Sequence, residues 1–193
     1  MFAQNGHGLS LAWRRDNDMN EHHSAQPIPE GYRTVTPWII SRNSVKLIGF
    51  LEKAFGAKEQ EGSRMLNENG SIGHVEVKVG DCIIMLFDAE ESWPDTGGFF
   101  RLYVENADRT YQQALDAGAT SVTEVTELFW GDRVGRVRDP FGNLWWLQTH
   151  VTDVAQNEMA ARMQGPAMVK AMQYVQQSLT EELNSRKQAN PQG

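Results

Sequence analysis

The sequence predicts an α+β fold in which one βαβββ module is used twice and is followed by helices. Three observations predict it. The stretch Trp130-Gly-Asp-Arg-Val-Gly-Arg-Val-Arg-Asp-Pro-Phe-Gly-Asn-Leu-Trp-Trp146 reads as a strand, a tight Asp139–Asn143 turn and a returning strand over 144–149. Pro140 fixes φ at the turn's second position, and Gly142 and Asn143 tolerate positive φ. Residues 73–79, Gly80-Asp81 and 82–87 repeat that hairpin plan. Each hairpin also follows a strand–helix unit that closes on Gly-Ala, at Gly56-Ala57 and again at Gly118-Ala119, as expected of an internal repeat.

Residues 1–30 are polar and aperiodic, which predicts a mobile arm in which His22 and His23 are solvated. Module 1 spans about 34–88. Its first strand is expected over 34–41, and Asn43 or Ser44 can cap a helix whose apolar face is Val45, Ile48, Leu51 and Phe55. Strands over 58–66, 73–79 and 82–87 follow, with turn chemistry at 67–70. After the acidic linker 88–98, module 2 (about 99–150) repeats the order. It has a strand over 99–104, a helix capped by Asn106 with Ala107, Tyr111, Ala114 and Leu115 inward, and strands over 121–130, 133–138 and 144–149. The paired domain thus covers 32–151. A helical extension over 153–187 comprises helices at 153–163 and 167–186, broken at Gly165-Pro166. Met168, Met172, Val175, Leu179 and Leu183 give the second helix one apolar stripe, to be buried on its own sheet, on a second subunit or across a cavity mouth.

The net charge of -7 argues against a nucleic-acid partner, which would need a basic face. No run approaches the ~18–20 apolar residues of a membrane span. Arg14-Arg15 is followed by Asp and Asn instead of an apolar region, so it is not an export signal. The single cysteine, Cys82, rules out an internal disulfide and reads as a small buried residue in a strand. A soluble cytoplasmic protein is expected.

A paired βαβββ arrangement carrying Trp-Gly-Asp-Arg-x-Gly-x-x-x-Asp-Pro-Phe-Gly-Asn-x-Trp in its second module resembles the vicinal oxygen chelate superfamily, which includes glyoxalase I, bleomycin-resistance proteins and extradiol dioxygenases. Within it the chain looks most like the branch related to the phosphonate-operon protein and to domains once labelled demethylubiquinone methyltransferases. No Gly-rich loop follows a strand to bind a methyl donor, so that label carries no weight. The resemblance covers about residues 32–151 and implies two modules curled into a half-open barrel. Metal-dependent members place His and Glu ligands on its concave face. The matching positions here are Thr36, about Phe99, Trp146 and, in an uncertain register, Ile84 to Met85. None can ligate a divalent cation, so no metal and no cofactor is expected. Members commonly pair their modules between subunits, and the 168–183 stripe offers apolar surface, so a homodimer is expected.

Strand alternation assigns the concave face. With Val75, Val77 and Val79 packed on a helix, His74, Glu76 and Lys78 face the cavity. With Phe100, Leu102 and Val104 in the core, Phe99, Arg101 and Tyr103 do the same. Leu144, Trp146 and Gln148 join them, as do Thr36, Trp38 and Ile40; Trp130 and Trp145 read as packing residues. Aligning the hairpins pairs Arg133 with His74. The expected ligand-binding set is Trp38, Phe99, Arg101, Tyr103, Arg133, Trp146 and Gln148: aromatic walls with few polar anchors, suited to a small planar or anionic ligand. His74 and Glu76 form the candidate acid/base pair, since a carboxylate beside an imidazole fixes its tautomer. They can equally be residues of a wet sheet face, and Arg101 and Arg133 can equally bridge Glu105, Asp132 or Asp139. The leading reading is a metal-independent small-molecule-binding protein or enzyme; lyase- or isomerase-type acid/base chemistry and simple sequestration both stay open. The alternative is a metal-dependent lyase, isomerase or dioxygenase with a relocated site at His74 and Glu76, joined by His150. A third is an interaction protein that uses its C-terminal helices.

Overall fold

A computed structural model describes residues 26–189, with side chains described as far as 186. The expected mobile arm falls mainly on 1–25, outside the described residues. Module 1 contains β1 (Trp38–Ser41), α1 (Ser44–Phe55), β2 (Lys58–Glu59), β3 (Met65–Leu66), β4 (Ile72–Val79) and β5 (Cys82–Asp88). Module 2 contains β6 (Phe99–Tyr103), α2 (Ala107–Asp116), β7 (Thr120–Glu127), β8 (Asp132–Arg138) and β9 (Leu144–His150), and α3 (Gln156–Gln164) and α4 (Pro166–Ala189) follow. The sheets run β1-β5-β4-β2, with β3 also on β4, and β6-β9-β8-β7. In each, the strand before the helix pairs in parallel with the last strand, and the other pairings are antiparallel. The α+β class and the doubled module are as the sequence predicts, and both sheets are open.

The local chemistry explains the ends of the elements. Asn43 Oδ1 accepts from Lys46 N–H and Asn106 Oδ1 from Arg109 N–H, each at 2.9 Å, satisfying an otherwise orphan donor of the first turn. Several expected boundaries shift, α3 beginning at Gln156 instead of 153 among them, and three shifts have a local cause. β1 begins only at Trp38, because Pro37 has no N–H for a ladder; its carbonyl accepts from Met85 N–H at 3.0 Å. The 58–66 strand splits into β2 and β3 around a turn at Gly62, whose φ of 75° is a left-handed value. β7 ends at Glu127 because Leu128–Gly131 is a turn, closed by Gly131 N–H on Leu128 O at 3.0 Å. The inward face of α1 is Leu47, Ile48, Phe50, Leu51 and Ala54; Val45, expected inward, is exposed.

The helix-side faces of both sheets share one core. Ile39, Val75, Val77 and Leu86 join Val137, Trp145 and Leu147 through the buried faces of α1 and α2. Trp145 is fully buried, stacked on Phe100 at 4.6 Å and tilted against Phe55 at 5.0 Å. Its Nε1–H donates to Asp139 Oδ2 at 2.9 Å, so its large apolar body is buried without orphaning its polar end. Asp139 also accepts from the N–H groups of Phe141 and Asn143 and from Asn143 Nδ2, fixing the Asp-Pro-Phe-Gly-Asn turn.

Of the three placements open for the C-terminal stripe, α4 combines the first and the third, packing on its own sheet while Leu179 reaches a cavity mouth. It lies on the face of the second sheet opposite α2, where Ala171, Met172 and Val175 pack on Leu128, Trp130, Val134 and Trp146. Polar ties fix its position: Thr123 and Ser178 hydroxyls meet at 2.7 Å, and Glu124 N–H donates to Tyr174 Oη at 2.8 Å. Leu183, at the end of the stripe, stays exposed. Among the described residues no helix is long and apolar enough to cross a membrane.

Candidate functional site

The ladder registers show which side chains share a rung. Ile39, Leu86 and Val75 are cross-strand neighbours in module 1, and Leu102, Leu147 and Gly135 are their equivalents in module 2. One residue away on each strand, on the opposite face, the rung Trp38–Met85–Glu76 therefore corresponds to Arg101–Trp146–Arg136. The mate of Glu76 is Arg136, and His74 corresponds to Val134. The expected pairing of His74 with Arg133 is off by one residue. Arg133 points to the helix side, where its Nε and Nη2 donate to Asp108 of α2 at 2.8 and 2.6 Å. It is not a cavity residue.

Arg101, Trp146 and Arg136 form the most distinctive arrangement on the open side. Both guanidinium groups lie over the Trp146 ring, 4.4 Å from its centroid for Arg101 and 4.0 Å for Arg136, which is cation–π range. Arg136 is only 3% exposed. Its Nη1 donates to Val175 O at 2.7 Å and Thr123 Oγ1 at 3.1 Å, while its Nε is buried without a partner. Among the described residues neither arginine has a carboxylate partner. Burial first, and then the charge of Arg101, push the pKa of Arg136 down to about 10. Beside this group lies a cavity of about 200 Å³ lined by Phe99, Arg101, Arg136, Trp146 and Leu179, with α4 as its lid. Phe99, Arg101 and Trp146 are therefore brought together as expected, and Arg136 and Leu179 are additions.

The other expected site residues separate. Gln148 is buried, and its Nε2 is bound to Asp132, so it is part of a structural network. Asp132 also accepts from Trp130 Nε1 at 2.9 Å and bonds His150 Nδ1 at 2.6 Å. Burial pushes the Asp132 carboxyl up, but these hydrogen bonds outweigh it and hold the group below its ordinary value. His150 also meets Asp153 at 2.9 Å, and the two carboxylates raise its pKa. Tyr103 and Trp38 face outward and are mostly exposed, lining neither cavity described for this chain. Trp38 instead heads an aromatic chain, edge-on to Phe87 at 5.5 Å, with Phe87 edge-on to Trp93 at 6.2 Å.

His74 Nε2 and Glu76 Oε1 lie 3.3 Å apart, as expected. Tyr32, outside the expected set, donates its hydroxyl to the same Glu76 oxygen at 2.5 Å, and this bond raises the tyrosine pKa. His74 and Glu76 are on β4, Tyr32 reaches Glu76 from the segment before β1, and none of the three lines either cavity. Among the described residues no three His, Cys, Asp or Glu side chains converge to hold a metal ion. His150, the expected third member of a relocated site, is committed to Asp132 and Asp153. The position matching the family's last-strand Glu is Trp146, flanked by two cations that would repel a metal. These residues do not fit the family's metal.

The Glyoxalase/Bleomycin resistance protein/Dioxygenase superfamily profile matches residues 39–147. The chain belongs to that superfamily. It is 32% identical over 140 residues to an uncharacterized protein of Mycobacterium bovis, across 67% of this chain and 91% of that one. Among solved structures it is similar to TioX from Micromonospora sp. ML1, at 22% identity and a TM-score of 0.51, covering 61% of this chain and 98% of TioX. The putative 3-demethylubiquinone-9 3-methyltransferase, PhnB protein, of Bacillus cereus is a more distant likeness (16% identity, TM-score 0.46, 61% of this chain and 99% of that one).

Proposed function

We propose that this protein binds a small planar anion in the pocket beneath α4, without a metal, either to turn it over or to sequester it. The observation that carries the reading is the buried, carboxylate-free Arg136 beside Arg101 and Trp146. A desolvated cation is costly unless a counter-charge reaches it, and the adjoining cavity leaves room for one. Trp146 offers a π-face to a ring, and the two guanidiniums offer charge-assisted hydrogen bonds to a carboxylate or phosphate. Titration of the intrinsic tryptophan fluorescence with benzoate tests this. Saturable quenching that Trp146→Ala or Arg101→Ala weakens tenfold or more supports the pocket. Quenching indifferent to both substitutions refutes it.

The His74–Glu76–Tyr32 group lines neither cavity, so it is an acid/base element only for a ligand that module 1's sheet itself holds. An enzyme loses turnover on His74→Ala or Glu76→Gln while still binding its ligand; a sequestering protein loses nothing at these positions. We also take the protein to be a cytoplasmic homodimer. Exposed Val35, Trp38, Met65 and Leu66 leave module 1 with apolar surface that a second copy can cover.

A further inference from the structure

Beyond the small pocket, a larger cavity of about 660 Å³ opens where β8 enters the Asp139–Asn143 turn and the C-terminal end of α4 passes over it. Its charges balance in number, Arg42, Arg138 and Arg186 against Asp95, Asp139 and the adjacent Glu182, but not in pairing. Arg42 is spent on the linker: it binds Asp95 at 2.6 Å and the carbonyls of Glu90 and Trp93. The Asp139 oxygens are taken by the turn and by Trp145. Arg138 and Arg186 remain and share one carboxylate, Glu182, at 3.7 and 2.7 Å. Glu182's side chain is only 10% exposed, and Arg186 Nη2 is buried without a partner. Asp139 keeps its charge but its oxygens are occupied, so Glu182 is the one carboxylate that bonds these two guanidiniums in a partly desolvated cleft.

This cavity adjoins the first along the same sheet face. Arg136 and Arg138 alternate on β8 two residues apart, about 7 Å along the strand. The rung after Arg101–Trp146–Arg136 is Phe99–Leu144–Arg138. Phe99 lines the smaller cavity, and the Arg186 guanidinium lies 5.6 Å from its ring centroid. This aromatic–arginine contact joins a residue of the smaller lining to one of the larger, and α4 contributes Leu179 to the first and Arg186 to the second.

We propose that the larger cavity is the second compartment of one elongated site, which takes an organic acid with two anionic groups. The first group sits on Arg101 and Arg136, and the second reaches Arg138 and Arg186 past Phe99. The inference rests on the binding site proposed above and specifies its ligand class: a dianion with an unsaturated or aromatic head and a short linker.

The test uses the full chain and calorimetric titration with benzoate, with 4-(ω-carboxyalkyl)benzoates of increasing tail length, and with the ω-methyl ester of each. The diacid is expected to bind about tenfold tighter than its ester at one preferred length, as one added charge-assisted contact implies. Arg138→Gln and Arg186→Gln should each abolish that ratio and leave the benzoate affinity within about twofold, which also shows that α4 still closes the first compartment. A ratio near one at every length, with benzoate bound, overturns this inference alone. A ratio that survives in both variants overturns it too. Failure of wild-type protein to bind benzoate or any diacid removes the parent reading and this one together.

Discussion

Replacing Arg136 by Met separates a ligand-binding arginine from a structural one, because the two roles predict opposite changes in stability. The side chain is 3% exposed and has no acidic partner among the described residues. Its pKa falls to about 10, mainly through burial and secondly through Arg101. At 1.36 kcal/mol per tenfold change, holding this group charged in the fold costs about 3 kcal/mol at neutral pH. Its two hydrogen bonds, to Val175 O and Thr123 Oγ1, contribute roughly 1 kcal/mol each in return. Methionine follows a similar path without the charge, but it leaves those two acceptors to re-pair. The ligand-free Arg136→Met protein should therefore be as stable as wild type, or more stable by about 1 kcal/mol, in urea unfolding at pH 7. Benzoate affinity should fall by at least about tenfold. The sign in pH follows from the same depression: the penalty is full below about pH 10 and is relieved as pH rises above it. A variant destabilised by 2 kcal/mol or more that binds benzoate normally would refute the reasoning and make Arg136 a strut for α4.

Other expectations follow from the same geometry. Asp139→Ala strips the acceptor from Trp145 Nε1, Asn143 Nδ2 and two backbone N–H groups, and should cost at least about 3 kcal/mol in urea unfolding. The depressed Asp132 carboxyl contributes stability that is present above its ordinary value of 3.8 and lost as pH falls below it; Asp132→Asn should flatten that limb of the acid-unfolding curve. His150, with its pKa raised above 6.5, contributes in the other direction: its stabilisation is present below 6.5 and lost as pH rises through the raised value. His150→Gln should remove that slope from a set of thermal melts. Glu127→Ala, on the exposed end of β7, should leave benzoate binding unchanged in the fluorescence assay. Light scattering should report a dimer at micromolar concentration that Trp38→Glu dissociates, and a wild-type monomer would exclude the proposed pairing.

The fold was more legible in the sequence than the site. Hairpin chemistry and Asn caps are local, and they mark the doubled module wherever they occur. Alternation likewise placed Phe99, Arg101 and Trp146 on one face, because Phe100, Leu102, Trp145 and Leu147 are unambiguous core residues. Arg136 was missed for a geometric reason. The turn at Asp139–Asn143 is longer than the one at Gly80–Asp81, so aligning the two hairpins turn to turn slips the register by one, putting Arg133 where Val134 belongs and Gly135 where Arg136 belongs. The core position of Val137 is the signal that corrects it, since Arg136 must then face the other way. Gln148 looked like a pocket residue because it shares Trp146's face, but its amide is bound to Asp132. The position of α4 depends on Thr123, Glu124 and Leu128, which no pattern within 166–189 reveals.

The central claim is that Arg101, Trp146 and Arg136 hold an anion beneath α4. Its most direct test is an anomalous difference map from crystals of the full chain grown with 4-bromobenzoate. The account predicts one bromine peak per chain inside the small cavity against Trp146 and Leu179, with the carboxylate on the two guanidiniums. A peak on the exposed Trp38 face, or none beneath α4 at saturating ligand, would contradict it.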